Sequence, residues 1–517
     1  MFRPNRQDEM MLLPPSLRDF LPETHPAHMV NDLVERLDLS VMEARYGRIG
    51  QPAYHPRLML RVILYGFTVG IFSSRKLQRA CEENLAFKYL AGMETPAFKT
   101  FIEFRRRHRE DMKAVFVATV KLARELGLAK LGAVALDGCK LEANTSKHKA
   151  MSYGRMGEEE ERLKKEMEAL LRKADETDER EDDEDGPDGD GYSLKEELAR
   201  REERLNKIAE AKAALEDRER REHPDEPIDT KKQISFADHD ARCFASKSNG
   251  TRYIYNSQAA VDMESGIIVE NHIEDSTQDA KAAQTALETM KADLGQLPGK
   301  LVADAGYGNR HTVESCRKNE VTPVCAVSRE GKEADASGGI DSFSLDVAAN
   351  AFICPHGNVF QFQRRQANVE KSIYVSRETL PCRCSGERLK DGRGVLRVHD
   401  SHFAKRKLRR IMDEPANRKL YSRRKCTIEP TFGQVQTMGF VRYFYRGAMN
   451  VRSEWNLVCA AFNLRKIAVL SKAKSLASDL FRPAAHSIRL LSDLVAAIRR
   501  QAAPLLQSTR VEIVHAR

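Results

Sequence analysis

Gly132-Ala-Val-Ala-Leu-Asp137-Gly138 and Lys300-Leu-Val-Ala-Asp304-Ala-Gly-Tyr307 have one pattern in common: a short apolar run of β type that ends on a carboxylate and then reaches a glycine. A strand that ends on Asp and turns at Gly puts the carboxylate at the C-terminal rim of a sheet, where ligands bind in open α/β folds. A third acid, Glu429 in Thr427-Ile-Glu429-Pro-Thr-Phe-Gly433, comes after a stretch rich in Arg and Lys. With 76 Asp and Glu in the chain, three carboxylates mean nothing without context. Brought together, they repel one another unless divalent cations neutralise them. Hard oxygen donors with few His or Cys nearby suit Mg²⁺ or Mn²⁺, the arrangement for two-metal phosphoryl transfer. For any single Asp the competing reading is a strand-end carboxylate that satisfies backbone donors.

Composition bounds the problem without solving it. A chain of 517 residues is long enough for two or three domains. The net charge of +9 is the balance between basic segments and a very acidic one near residues 157–229, and it points weakly to a polyanionic partner. The longest apolar stretch, Val62 to Phe72, is well short of the ~20 residues that span a bilayer, so it reads as a buried helix and no membrane partner is expected. The start of the chain has no charged-then-apolar signal pattern, and the ten scattered Cys read as reduced thiols of a cytoplasmic protein.

Four blocks in order add to this: Ala135-Leu-Asp137-Gly-Cys-Lys140-Leu-Glu-Ala-Asn144, Tyr255-Asn-Ser-Gln258-Ala-Ala-Val-Asp262, Ala303-Asp304-Ala-Gly-Tyr-Gly308, and Ile428-Glu429-Pro-Thr-Phe-Gly-Gln434 with Asn463-Leu-Arg-Lys466 after it. With them the chain resembles the DDE transposases of bacterial insertion sequences, in the branch with a strand-rich insert before the final Glu. The resemblance implies an α/β fold with a ribonuclease-H-like mixed sheet, in which the first and fourth strands are neighbours. It also implies two Mg²⁺ (or Mn²⁺) ions per active site, with Asp137 bridging them and Asp304 and Glu429 each completing one. The partners it implies are double-stranded DNA, as terminal inverted repeats and target, and a second copy of the chain on that DNA. Two other functions stay open: a metal-dependent nuclease of the same fold, and a non-catalytic DNA-binding protein derived from a transposase.

Residues 1–128 are expected to form a helical DNA-end-binding domain whose basic run, Arg105, Arg106 and Arg107, would meet phosphates; the alternative is a solvated face of a helical bundle. Residues 129–154 open the catalytic core. Residues 155–235 are a charged helical insert with an acidic run at Asp175–Asp190 that reads as disordered. The core continues through 236–328, with a β-hairpin over residues 252–273, and is interrupted by a β-rich insertion domain at 329–405. It ends at 406–472 with the helix that bears Glu429. Residues 473–517 read as amphipathic helices, chiefly Ser487–Ala503.

Further DNA contacts are expected from Lys140, Tyr421, Arg423, Arg424, Lys425 and Gln436. The family signature is Tyr, Arg, Glu and Lys on successive turns. Tyr421 and Arg424 have the expected spacing, but the three-residue gap to Glu429 is met from Lys425, so either base could serve. Gln436, a neutral amide, stands where the signature has Lys. Pro430 lacks an amide proton, which places Glu429 at a helix start or a bend. Cys354, His356, Cys382, Cys384 and His399 raise zinc, but Cys-x-Cys is not the usual clasp and no second close Cys pair exists, so loop thiols are expected instead. Trp455, Cys139 and Cys426 read as packing residues.

Overall fold

The computed structural model describes residues 16–47, 52–181, 191–224, 226–246, 250–327, 340–366, 371–380, 382, 384 and 387–474. The chain divides into two compact units, one made of the residues up to Lys130 with those from Leu457 onward, the other of Leu131–Asn456.

The first unit is helical: α1 (Pro26–Arg36), α2 (Ser40–Glu43), α3 (Pro56–Thr68), α4 (Ser74–Glu83), α5 (Leu85–Ala91), α6 (Phe98–Arg107) and α7 (Met112–Glu125). The starts are specified locally. His25 and His55 each accept the amide two residues on and precede a proline, and Asn84 accepts the amides of Ala86 and Phe87. These side chains satisfy donors that the first helical turn leaves unpaired. The apolar faces bury Leu33, Leu60, Phe67, Phe87, Phe101 and Phe116. Val62–Thr68 and Phe72 of the long apolar stretch are part of this core, while Val69 after the helix end is exposed, and no helix among the described residues is long and apolar enough to cross a membrane.

In the second unit β1 (Ala133–Glu142) leads to a short strand, β2 (Ala150–Ser152), and to two long helices, α8 (Tyr153–Glu181) and α9 (Gly191–Glu222). These helices hold a small core of their own, Met156, Leu163, Ile208, Ala211 and Leu215, closed by Ile234 of β3 (Gln233–Ser235). Cross-helix ion pairs, Lys212–Glu160 and Arg204–Glu159, flank it. The acidic run expected to be disordered is helical up to Glu181, and residues 182–190 lie outside the described residues.

The main sheet then assembles from β4 (Arg242–Ser246), β5 (Gly250–Asp262), β6 (Ile268–Glu274), β7 (Lys300–Ala303) and β8 (Thr322–Cys325), with α10 (Ala282–Leu294) and α11 (Arg310–Lys318) as crossovers. Its order is β4-β5-β1-β7-β8, with β6 also paired to β5. The β1–β5 and β5–β6 pairs are antiparallel, whereas β1–β7 and β7–β8 are parallel. The hairpin turn is fixed by Asp262, whose carboxylate accepts from the amides of Glu264, Ser265 and Leu131.

A second antiparallel sheet comes from β9 (Ser344–Asp346), β10 (Ala351–Ile353), β11 (Val359–Gln366), β12 (Lys371–Thr379), β13 (Glu387–Arg388) and β14 (Arg393–His399). Phe343, Phe352, Phe360, Tyr374, Leu380 and Val398 form its core. The chain then runs through α12 (Asp400–Asp413), α13 (Pro415–Thr437) and α14 (Ala448–Lys474).

Residues 406–472 do not form one piece of the core. From Leu457 onward α14 belongs to the first unit, where Phe462 and Leu464 are buried and the Asn463 amide donates to Thr119 Oγ1 at 3.1 Å. The part of α14 before Leu457 carries Trp455, which is fully buried, lies against Phe440 and donates to the Gln258 carbonyl. Its indole is core, as the helical period around it indicates. Ser487–Ala503, with the rest of 475–517, lie outside the described residues.

Candidate active site

Parallel pairing sets Leu136 of β1 against Ala303, the last residue of β7. Asp137 is the next residue of β1, and Asp304 is the first residue after β7. The expectation that both acids end strands holds for Asp304 only. Its side chain caps a 3-10 turn (Ala305–Tyr307) by accepting the Gly306 amide at 2.8 Å. Asp137 lies inside β1, which continues to Glu142 because β5 pairs with it along the whole of that length. Gly138 is therefore a strand residue. A Cβ there would stand 2.2 Å from Gln258 Nε2 and 2.9 Å from Asn256 Oδ1, so the glycine makes room for side chains of the neighbouring strand and makes no turn.

Asp137 is held on both oxygens: Oδ1 accepts the Gly138 amide at 2.8 Å and Oδ2 accepts Arg424 Nη1 at 2.9 Å. Burial pushes its carboxyl above the ordinary value. The Gly138 amide and the Arg424 guanidinium pull it back, and Asp304 adds repulsion. Arg424 is almost fully buried, so this charge is built into the site. Its guanidinium also lies 6.0 Å from the centroid of the Tyr421 ring.

Alternation along β1 sends Gly138 and Lys140 to the opposite face from Asp137. There Lys140 Nζ pairs with Asp279 at 3.2 Å. Asp279 Oδ1 also accepts from Asn256 and Gln258, each at 2.8 Å, and Tyr307 donates to Gln258 Oε1 at 2.6 Å. Burial, and the charges of Asp279, Asp137 and Asp304, push the Tyr307 hydroxyl far above its usual pKa, so it stays a donor. Lys140, expected to meet DNA, is committed to this network. Sequence reasoning missed Asp279, Asn256, Gln258 and Tyr307 as site residues, although three of them stand in the family-like blocks. The cue was the polar pair Asn256 and Gln258 on one face of a long, buried strand.

Glu429 is the fifteenth residue of the 23-residue α13, not a helix start, and Pro430 is inside the helix. The helix buries Arg424, Ile428, Thr431 and Val435 on one line, and Glu429 falls off that line. Five residues beyond Arg424, it lies about 7.5 Å further along the axis and about 140° around it. It is exposed, and its side chain makes no hydrogen bond or ion pair among the described residues. The structure thus brings Asp137 and Asp304 together and leaves Glu429 facing solvent on the helix that supplies their arginine. Arg423, Lys425 and Gln436 are also exposed on α13.

In the helical unit Arg105 does not face solvent. It is buried, donates to the Phe72 carbonyl at 3.1 Å and lies over the Phe67 ring. The expectation of a phosphate contact fails there because the guanidinium caps a buried carbonyl. Arg106 and Arg107 pair with Glu103, and Arg107 also lies over Tyr46.

The sulfur ligands also depart from expectation. Cys354 and His356 come after β10, and Cys382 and Cys384 after β12. Their donor atoms all lie within 4.8 Å of one another. The second pair that the sequence lacked nearby is supplied from 28 residues away, by the antiparallel return of the strands. Among the described residues His399 is not part of this group; it caps α12.

Residues 15–107 match the family model described as a transposase domain (DUF772), and residues 227–464 match the transposase DDE domain. The latter span contains Asp304, Arg424 and Glu429, while Asp137 precedes it. No curated protein matches the chain. A cryo-EM structure of a piggyBac transposase synaptic complex with hairpin DNA is similar at 9% identity over 86% of this chain and 76% of that one. The TM-score of that match is 0.29.

Proposed function

The chain belongs to the DDE transposases of insertion sequences, and from that premise we propose that Asp137, Asp304 and Glu429 are its catalytic carboxylates on a ribonuclease-H-like sheet. The sheet order supports the fold reading. Leaving aside the short edge strand β4, the strands run third, second, first, fourth, fifth, with the acids on the adjacent first and fourth. The single observation that carries the site is the register that sets Asp137 next to Asp304, with Arg424 bound to the former.

Members of this family use divalent metal ions. Asp137 and Asp304 fit such an ion: two carboxylates on neighbouring strands, the first raised in pKa partly by the second. Each keeps one oxygen on a backbone amide, which fixes its orientation. The chemistry a divalent cation supplies at such a site is activation of a water or 3′-hydroxyl and stabilisation of the leaving 3′ oxygen. Asp137 and Asp304 would hold it, with Glu429 as the third ligand. Arg424 offsets part of the burial that raises the Asp137 pKa, and binding of a cation has to displace or share that guanidinium. The Asn256–Gln258–Asp279–Tyr307 network behind β1 holds the strand rigid beneath the acid, as preorganised catalysis requires. Arg423 and Lys425 are the proposed phosphate contacts, with Gln436 a neutral one. The substrate proposed is duplex DNA carrying terminal inverted repeats, processed in the cytoplasm by two copies of the chain acting on two ends.

The test is cleavage of a labelled duplex bearing the element's own terminal repeat in Mg²⁺ or Mn²⁺, with Asp304→Ala and Glu429→Gln beside the intact protein. Nicking at the repeat boundary that both variants abolish is the expected result. Cleavage at random positions would instead indicate a nuclease. Repeat binding without cleavage in either metal would indicate a DNA-binding relic.

A further inference from the structure

Cys354, His356, Cys382 and Cys384 lie on two loops at one end of the second sheet, apart from the strands that carry the acids. Four soft and borderline donors within 4.8 Å are a different ligand chemistry from carboxylate oxygens. In a tetrahedral site with Zn–S near 2.3 Å, sulfurs stand about 3.8 Å apart and a sulfur and a nitrogen about 3.5 Å apart. Cys354 Sγ and Cys382 Sγ are 3.9 Å apart, while His356 Nδ1 and Cys384 Sγ touch at 2.9 Å. Opening that one contact by roughly half an ångström brings it to the tetrahedral separation, and the remaining pairs all lie within 4.8 Å.

Two of the sulfurs sit among hydrogen-bond donors. The Asn358 backbone amide donates to Cys354 Sγ at 3.3 Å, and the Asn358 side chain donates to both Cys354 Sγ and Cys382 Sγ at 3.3 Å. Such donors orient sulfur ligands and stabilise their charge. Gly357 has φ +84°, the left-handed region, and so closes the tight turn that brings His356 back beside Cys354. A disulfide between Cys354 and Cys382 would use neither His356 nor Cys384, and so leaves half of the convergence unexplained.

We propose that Cys354, His356, Cys382 and Cys384 bind one Zn²⁺ ion that staples the β10–β11 turn to the loop after β12. The site is closed, with four protein ligands, which makes it structural. It meets a need of this sheet, whose main core is a cluster of eight buried residues, too small a core to hold a domain of this size firmly without a staple.

The experiment is metal analysis of the full-length protein purified without chelator, with a mercurial used to release thiolate-bound zinc into a colorimetric dye, and with Co²⁺ substitution of the same protein. One zinc per chain, released by the mercurial, and a Co²⁺ spectrum with thiolate charge-transfer bands and strong tetrahedral d–d bands are expected. Cys382→Ser/Cys384→Ser should lose the zinc, and Cys426→Ser and Asp304→Ala should keep it. Zinc-free protein that, after reconstitution, gives only the octahedral cobalt spectrum overturns the proposal without recourse to any variant. So does zinc retained by the double variant, or zinc lost with Asp304→Ala, which would place it at the carboxylates.

Discussion

Among single residues, the Asp137-Gly138 pair has a steric cause that no turn supplies: Gln258 and Asn256 fill the space of the missing Cβ. Gly308 is similar, since a Cβ there would meet the Ala326 carbonyl at 2.4 Å. Arg424 is the residue on which the electrostatics turn. Asp137 has a folded-state pKa above 3.8, so ionising it costs folding stability as pH rises through that window, and Arg424 offsets the cost. Arg424→Met should destabilise the protein by about 1–3 kcal/mol at neutral pH. The gap between variant and parent should narrow as pH falls through the raised Asp137 pKa, because a protonated carboxyl needs no counter-ion. Denaturant unfolding across that range reads it; a gap that does not change with pH would remove the ion pair as the cause.

Among the secondary-structure elements, β6 carries a buried charge cluster outside the active site. His272 Nδ1 is 2.9 Å from Glu270, which is 1% exposed, and its Nε2 is 3.5 Å from Glu274. Burial pulls the imidazole pKa down, but the two carboxylates outweigh it and raise the value from 6.5 to about 9. A raised pKa means that the imidazolium stabilises the fold fully below 6.5, and that this is lost as pH rises through about 9. Thermal unfolding should show that decline in the parent and not in His272→Gln. The variant should also lose about 3–5 kcal/mol at neutral pH, since Glu270 is left buried without its partner.

Across the molecule, chain order and spatial units diverge. The helical unit is closed by residues from Leu457 onward, and its buried Asn463–Thr119 hydrogen bond joins positions 344 residues apart. Asn463→Ala leaves Thr119 short of a buried donor and should cost about 1–3 kcal/mol. Hydrogen exchange should report the loosening in α7 as well as in α14, a pattern that a purely local role for Asn463 would not produce.

Local periodicity and apolar runs were enough to specify the strands that bear Asp137 and Asp304, the β5–β6 hairpin, the helical start, the charged helices and the strand-rich insert. Trp455 as core was also legible, from the helical period around it, and the four ordered blocks carried the family. Pairings between distant segments decided the rest. β5 carries β1 past Asp137, so the acid is inside a strand. The buried line of α13 turns Arg424 inward and leaves Glu429 in solvent, although both lie on one helix. Arg105 and Lys140 are drawn to a buried carbonyl and to Asp279 instead of facing DNA. The four Cys and His donors meet because β10 and β12, each antiparallel to the β11 between them, run the same way and end at the same end of the sheet. Short-range pattern fixes which elements form, but which side chains meet is set by strand register and by helix rotation against the core.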